Sequence, residues 1–285
     1  MSKSIFSFNV KSLLLLTLPL IGACTSAGEI AKSSIADISS HYGSDSFTLV
    51  ATSPANFSLT AKSQYSPLAG QDCQTYSAGL GGNVTRRHQK TDQIDVKDTE
   101  QTASFNIPLS YSIAGCKMEL TRVSMAIDGR YGASSLDIGG DIGGISVTGN
   151  TTGDPAPPLT DNFEFRGLCT WMFQLSVARI EKNGISKILS CSGADANWHV
   201  SSVNFERSKP GGTLQRSSLN GKNIKFTFRL SKDEVPSMNN RWIKTTKGWK
   251  PCQGSATSNR CQSPPTFKKF KMNDRECTVY PACTE

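Results

Sequence analysis

Three histidines, His41, His88 and His199, are the chain's entire supply of imidazole, so any mechanism needing a histidine base must use one of them. His41 stands in His41-Tyr42-Gly43-Ser44-Asp45, which gathers the residue types of a nucleophilic triad. Adjacency in sequence is not triad geometry, however, and no G-x-S-x-G elbow occurs. His88 follows Arg86-Arg87 in a polar stretch and reads as solvated, while His199 beside Trp198 reads as a surface or hydrogen-bonded residue. Gly79-Leu80-Gly81-Gly82-Asn83 is glycine-rich, but neither a strand-to-helix context nor a following lysine makes it a phosphate loop. Asp137-Ile138-Gly139-Gly140-Asp141 brings two carboxylates close for calcium or acid–base work, yet lacks a third acidic ligand and reads as a flexible glycine loop. HExxH is absent, and no glutamate pair stands in a glycosidase setting. These residues point away from an enzyme, and no catalytic residue, metal ion or cofactor is expected.

Cysteine says more. The chain has 9 cysteines in 285 residues, an odd number. Eight of them, Cys73, Cys116, Cys169, Cys191, Cys252, Cys261, Cys277 and Cys283, make an even set. In an exported chain that set implies four disulfides, with the pairing left open. Zinc is the rival, but there is no CxxC pair and histidine is scarce.

Charge is uneven. The formal total is +8, yet residues 24–199 carry 13 Lys/Arg against 17 Asp/Glu, and residues 200–285 carry 16 against 6. A basic C-terminal third therefore sits on a mildly acidic body. Lys244, Lys247, Lys250, Lys268, Lys269 and Lys271 accompany Trp242, Trp249, Phe267 and Phe270. Such a mixture suits an acidic protein surface, an anionic lipid headgroup, lipopolysaccharide or an acidic glycan. In the alternative, the aromatics pack a small core and the lysines only solvate it. An exported compartment argues against nucleic acid.

The ninth cysteine, Cys24, is set apart by position. Lys3 and Lys11 precede an apolar run, Leu13-Leu14-Leu15-Leu16-Thr17-Leu18-Pro19-Leu20, which is too short to span a bilayer and reads as a secretory signal. The run ends Ile21-Gly22-Ala23-Cys24, which resembles the lipobox of bacterial lipoproteins. That resemblance implies that Cys24 becomes the diacylglycerol-linked N-terminus, held in the membrane by several acyl chains. A plain signal peptide, with Cys24 an ordinary thiol or disulfide partner, is the alternative. Because Thr25 and Ser26 follow, and not Asp, the resemblance further implies the periplasmic face of the outer membrane.

The elements that must carry these residues are strands. Residues 105–113 alternate large apolar with small polar side chains, the mark of a half-buried strand, and Pro108 places it at an edge. In the next strand the apolar face switches from Met118 and Leu120 to Val123, Met125 and Ile127, which predicts a bulge near Thr121-Arg122. Trp171, Phe173, Leu175 and Val177 share a face before Lys182-Asn183-Gly184. A three-residue loop with Gly184 left-handed would set Val177 opposite Leu189 and Leu175 opposite Cys191. A further hairpin is expected at Asn220-Gly221, ahead of Ile224, Phe226, Phe228 and Leu230. Residues 129–149, rich in glycine, and 154–158, rich in proline, read as long loops. No segment longer than about ten residues keeps a helical period.

The expected fold is all-β, a disulfide-bonded sandwich or distorted barrel with long loops. The expected divisions are a signal over 1–23, a lipidated N-terminus and tether over 24–45, a β domain over 46–240, and a basic, loop-rich C-terminal subdomain over 241–285. Two local disulfides would explain how so little core pattern suffices there.

Two stretches resemble a family of Gram-negative lipoproteins found with type VI secretion phospholipase effectors. One is Ile107-Pro108-Leu109-Ser110-Tyr111-Ser112-Ile113-Ala114-Gly115-Cys116-Lys117-Met118-Glu119-Leu120. The other is Gly248-Trp249-Lys250-Pro251-Cys252, with Cys277-Thr278-Val279-Tyr280-Pro281. The resemblance covers residues 72–285 and implies a non-enzymatic immunity protein whose partner is a secreted toxin. An envelope lipoprotein that binds an anionic glycan or lipopolysaccharide through its basic face is the alternative.

Overall fold

The computed structural model describes residues 40–71, 73–149, 162–182, 184–201 and 208–284. The signal, Cys24, most of the tether, the 154–158 stretch and Asn183 lie outside them.

Period-two patterning builds two facing sheets. The first holds β1 (His41–Tyr42), β8 (Ser110–Ile113), β9 (Cys116–Arg130), β10 (Ile138–Thr148) and β13 (Gly211–Gln215) in that order, with β3 (Phe57–Pro67) and then β6 (His88–Ile94) on the other flank of β9. The second runs β12 (Ser186–Ala194), β11 (Asn162–Gln174), β14 (Asn223–Leu230), β2 (Ser46–Ser53) and β7 (Gln101–Pro108), with β15 (Val235–Pro236) beside the end of β11. Among the described residues there are also three two-stranded ribbons: β4 (Gln74–Ser77) with β5 (Gly82–Thr85), β16 (Trp242–Thr245) with β17 (Gly248–Pro251), and β18 (Phe270–Met272) with β19 (Arg275–Cys277).

The inner faces meet in one apolar core, in which the Phe57 ring of β3 stacks 5.9 Å from Trp171 of β11. The expected disulfide-bonded, all-β sandwich is therefore what the chain forms. Its sheet edges approach without closing a barrel. On one side Asp141 of β10 accepts the Cys191 N–H of β12 at 2.6 Å. On the other, Lys90 of β6 donates to the Asn106 carbonyl of β7 at 3.2 Å. Inward-pointing charge of this kind blunts edges that would otherwise pair with another chain.

The bulge lies where the parity switch requires it. Gln64 pairs with Arg122 and Tyr65 with Leu120, which leaves Thr121 as the extra residue. Both apolar sets of β9 consequently reach the core. Pro108 does end an edge strand.

Four expectations need correction. Residues 105–113 are two strands, because the chain changes sheet at Leu109; the alternation runs on undisturbed since both sheets face one core. The 129–149 stretch holds β10 and is no long loop. Its glycines serve close approach: a Cβ on Gly139 would stand 2.8 Å from the Trp171 ring. The hairpin pairs Trp171 with Leu189 and Cys169 with Cys191, so β11 ends at Gln174 and residues Val177–Ile180 form a helical turn, α1. That slip of register is even, so each side chain keeps its face, and Gly184 is left-handed at φ 82° as expected. The Asn220-Gly221 turn links β13 to β14 in the opposite sheet, so it closes no hairpin.

The body begins earlier than residue 46, since His41 and Tyr42 already pair with Ser112 and Tyr111. At the other end a second core gathers Trp242, Phe270, Cys277 and Tyr280 around Phe173 and Ile185 of the body. The C-terminal subdomain is thus built on a side chain projecting from the end of β11.

Candidate functional site

The eight cysteines form four disulfides, each joining neighbours in sequence order: Cys73–Cys116, Cys169–Cys191, Cys252–Cys261 and Cys277–Cys283. Cys169 and Cys191 face each other across β11 and β12, Cα atoms 3.9 Å apart. The last two bridges clamp the C-terminal subdomain, as its sparse strand pattern led us to expect.

Within that subdomain the aromatic residues divide. Trp242 is only 4% exposed and Phe270 1%, so both belong to the core and neither is presented to a partner. This corrects the placing of Trp242 among contact residues: the T-shaped packing of its ring, 4.6 Å from Phe173, withdraws it from solvent. Trp249 and Phe267 stay half-buried, with the Lys244 ammonium 5.8 Å over the first ring and that of Lys250 5.3 Å over the second. Lys247 occupies the exposed turn between β16 and β17, where its N–H donates to Thr245 Oγ1. Lys269 pairs with Glu276 at 2.6 Å. Among the described residues Lys244, Lys247, Lys268 and Lys271 have no carboxylate partner. Residues 241–285 carry nine Lys/Arg against three Asp/Glu, so the subdomain has an excess of positive charge.

The subdomain is locked to the body at Glu234. Its carboxylate accepts the Tyr280 hydroxyl and pairs with Lys187 of β12 at 2.6 Å. Burial first, and the same carboxylate second, hold the Tyr280 hydroxyl protonated far above the ordinary phenol range.

His88 is half-buried and packed against aromatic rings, not a freely solvated side chain. It stands on β6 with its imidazole flat on Tyr111, and Nε2 lies 2.8 Å from Tyr42 Oη. Tyr65, whose hydroxyl donates to the Pro108 carbonyl, completes the cluster. Burial lowers the His88 pKa; burial, then Tyr111 and Asp92, raise that of Tyr42. The cluster fastens β1, the first described strand, to the body. His199 is exposed, its N–H donating to Asp195 Oδ1 at 2.8 Å.

Asp137 and Asp141 do not share a site. Asp137 faces Arg179 at 3.5 Å, whereas Asp141 takes Lys209 and the Cys191 N–H. Among the described residues no three His, Cys, Asp or Glu side chains gather to hold a metal ion.

A feature the sequence did not disclose is a cleft of about 930 Å³ over the outer face of β11 and β12. Leu168, Thr170 and Met172 of β11 and Ser190 and Ser192 of β12 form its floor. The 231–240 segment and Trp249 wall it. One signal was available: Leu168 and Met172 are apolar on the face of β11 that alternation assigns to solvent. The chain matches no family model, no curated protein and no solved structure.

Proposed function

We propose that this chain is a lipid-anchored, non-enzymatic binding protein of the periplasmic face of the outer membrane, and that it protects its cell by neutralising a secreted phospholipase toxin. The lipobox-like Ile21-Gly22-Ala23-Cys24 supports the anchor, and the two stretches quoted above support the toxin class. The observation that carries a binding role is the subdomain's set of lysines without carboxylate partners, held on a ribbon framework with two short disulfide loops. A rigid basic face steers an acidic partner and loses little entropy when it docks.

The test is a contact-dependent competition. Cells lacking the chain should be killed by parental neighbours, and the full-length protein should rescue them. A variant carrying Lys244→Glu, Lys247→Glu and Lys268→Glu should not rescue. Undiminished survival without the chain removes the immunity role, and full rescue by the charge-reversed variant removes the basic face as its site.

The Lys250–Phe267 contact favours a second reading, because a cation beside an apolar ring suits the headgroup and acyl boundary of lipopolysaccharide. Retention of the full-length protein on lipopolysaccharide, lost on charge reversal, with no change in competition, would favour it over the first.

A further inference from the structure

We infer that the cleft over β11 and β12 binds an uncharged oligosaccharide, a function separate from the basic face. Charge is the first argument. Among the described residues, the lysines of the neighbouring subdomain do not line the cleft, and Asp233 is the single ionisable side chain that does. With the Asp233 carboxylate in the lining and the Lys244 ammonium 5.8 Å over the Trp249 ring, the site has no excess of positive charge to draw the acidic partners suited to the basic face.

Hydrogen-bonding chemistry is the second. Thr170 and Ser190 lie directly opposite each other in the strand register, which sets two hydroxyls side by side on the floor. Asn239 and Asn240 bring amides to the wall. Hydroxyls and amides each donate and accept, as does every hydroxyl of a sugar. Among the described residues these four side chains make no hydrogen bond of their own, so their capacity is available to a ligand. Asp233 adds an acceptor able to take two sugar hydroxyls.

Trp249 supplies what polar groups alone do not, an aromatic wall against which the C–H surface of a pyranose can lie. It is held from behind by Phe173, 6.3 Å away, so it needs little ordering when a ligand arrives. The volume falls within the range of about 300–1,000 Å³ usual for small-ligand sites.

The backbone argues against an extended peptide. β11 is paired on both flanks, with β12 on one side and with β14 and then β15 on the other, so it offers no free ladder for an added strand; at the outer edge of β12, Asp141 of β10 already takes the Cys191 N–H. Recognition must come from side chains, and these match a polyhydroxylated, neutral ligand.

The experiment uses the full-length protein in detergent and follows tryptophan fluorescence and calorimetry with maltotriose, cellotriose and chitotriose, against trigalacturonate as the anionic control. At least one neutral trisaccharide should bind. Trp249→Ala should weaken that binding by about tenfold or more, while Lys268→Gln with Lys271→Gln, two lysines outside the cleft lining, should leave it within about twofold. Ser190→Tyr, which fills the floor from an outward-facing position, should abolish binding without moving the melting temperature. The inference is overturned if none of the neutral sugars binds, if only trigalacturonate binds, or if binding survives both Trp249→Ala and Ser190→Tyr. It is likewise overturned, in favour of a protein ligand, if Ser190→Tyr abolishes rescue in the competition while no sugar binds. Failure of the immunity role leaves this result unaffected, because the sugar titration requires no toxin.

Discussion

The His88 imidazole lies flat on the Tyr111 ring, centroids 3.7 Å apart and planes within 11°. The two residues come from strands that are not neighbours in the sheet, and Tyr42 of β1 reaches across both. Burial lowers the pKa of this imidazole, which favours its neutral form in the stack.

A pH dependence follows. The folded pKa of His88 lies below its ordinary value of 6.5, so on acidification the unfolded chain takes the proton first. His88 therefore costs stability as pH falls below about 6.5, and the loss levels off once the folded pKa is passed. His88→Phe keeps the stacking and removes the titration. Its melting temperature should fall less than that of the parent between pH 7.5 and 5.5; parallel curves would show that His88 is not the titrating group.

Asp141 ties the edges of the two sheets. Its side chain accepts the Cys191 N–H and the Lys209 ammonium, at 2.6 and 2.5 Å to Oδ2. Asp141→Ala should cost about 2–3 kcal/mol in urea unfolding, chiefly because the Cys191 N–H is left without an acceptor. Lys209→Ala should cost less than about 1 kcal/mol, since that ammonium is largely exposed.

The C-terminal subdomain should depend on the end of β11. Phe173 is fully buried among Trp242, Trp249 and Tyr280. Phe173→Ala should remove about 3–5 kcal/mol and expose the subdomain to proteolysis. Limited digestion of the variant should release fragments beginning near residue 240, whereas the main sandwich should resist longer.

The disulfides should differ in worth according to the loop each closes. Cys73–Cys116 spans 43 residues and Cys277–Cys283 spans 6. By the chain-entropy argument, replacing the first pair with alanines should cost about 4 kcal/mol and the last about 2 kcal/mol. Peptide mapping without reduction should recover four pairs of sequence neighbours and no crossed pair.

Much of the β architecture was legible because alternation is a local property of a strand. The bulge at Thr121 could be placed to within a residue, since a reversal of parity has few other solutions. Which strand lies beside which was not legible. The apolar period of 105–113 is blind to a change of sheet, and the glycines of β10 read as a loop until the Trp171 ring that requires one of them is in place. His88 was misplaced for a related reason: the polar neighbours Arg86 and Arg87 suggested solvent, while the rings that enclose it come from residues 42, 65 and 111.

By itself, then, the sequence determined an all-β chain, an even set of eight cysteines beside a lone Cys24, and a basic C-terminal third, because composition, period and spacing depend only on near neighbours. Tertiary structure alone decided the pairing of the cysteines, the burial of Trp242 and Phe270 against the exposure of Lys244 and Lys247, and the existence of the cleft. Each of these depends on contacts between segments distant in sequence, where packing selects one arrangement among many that local patterning permits.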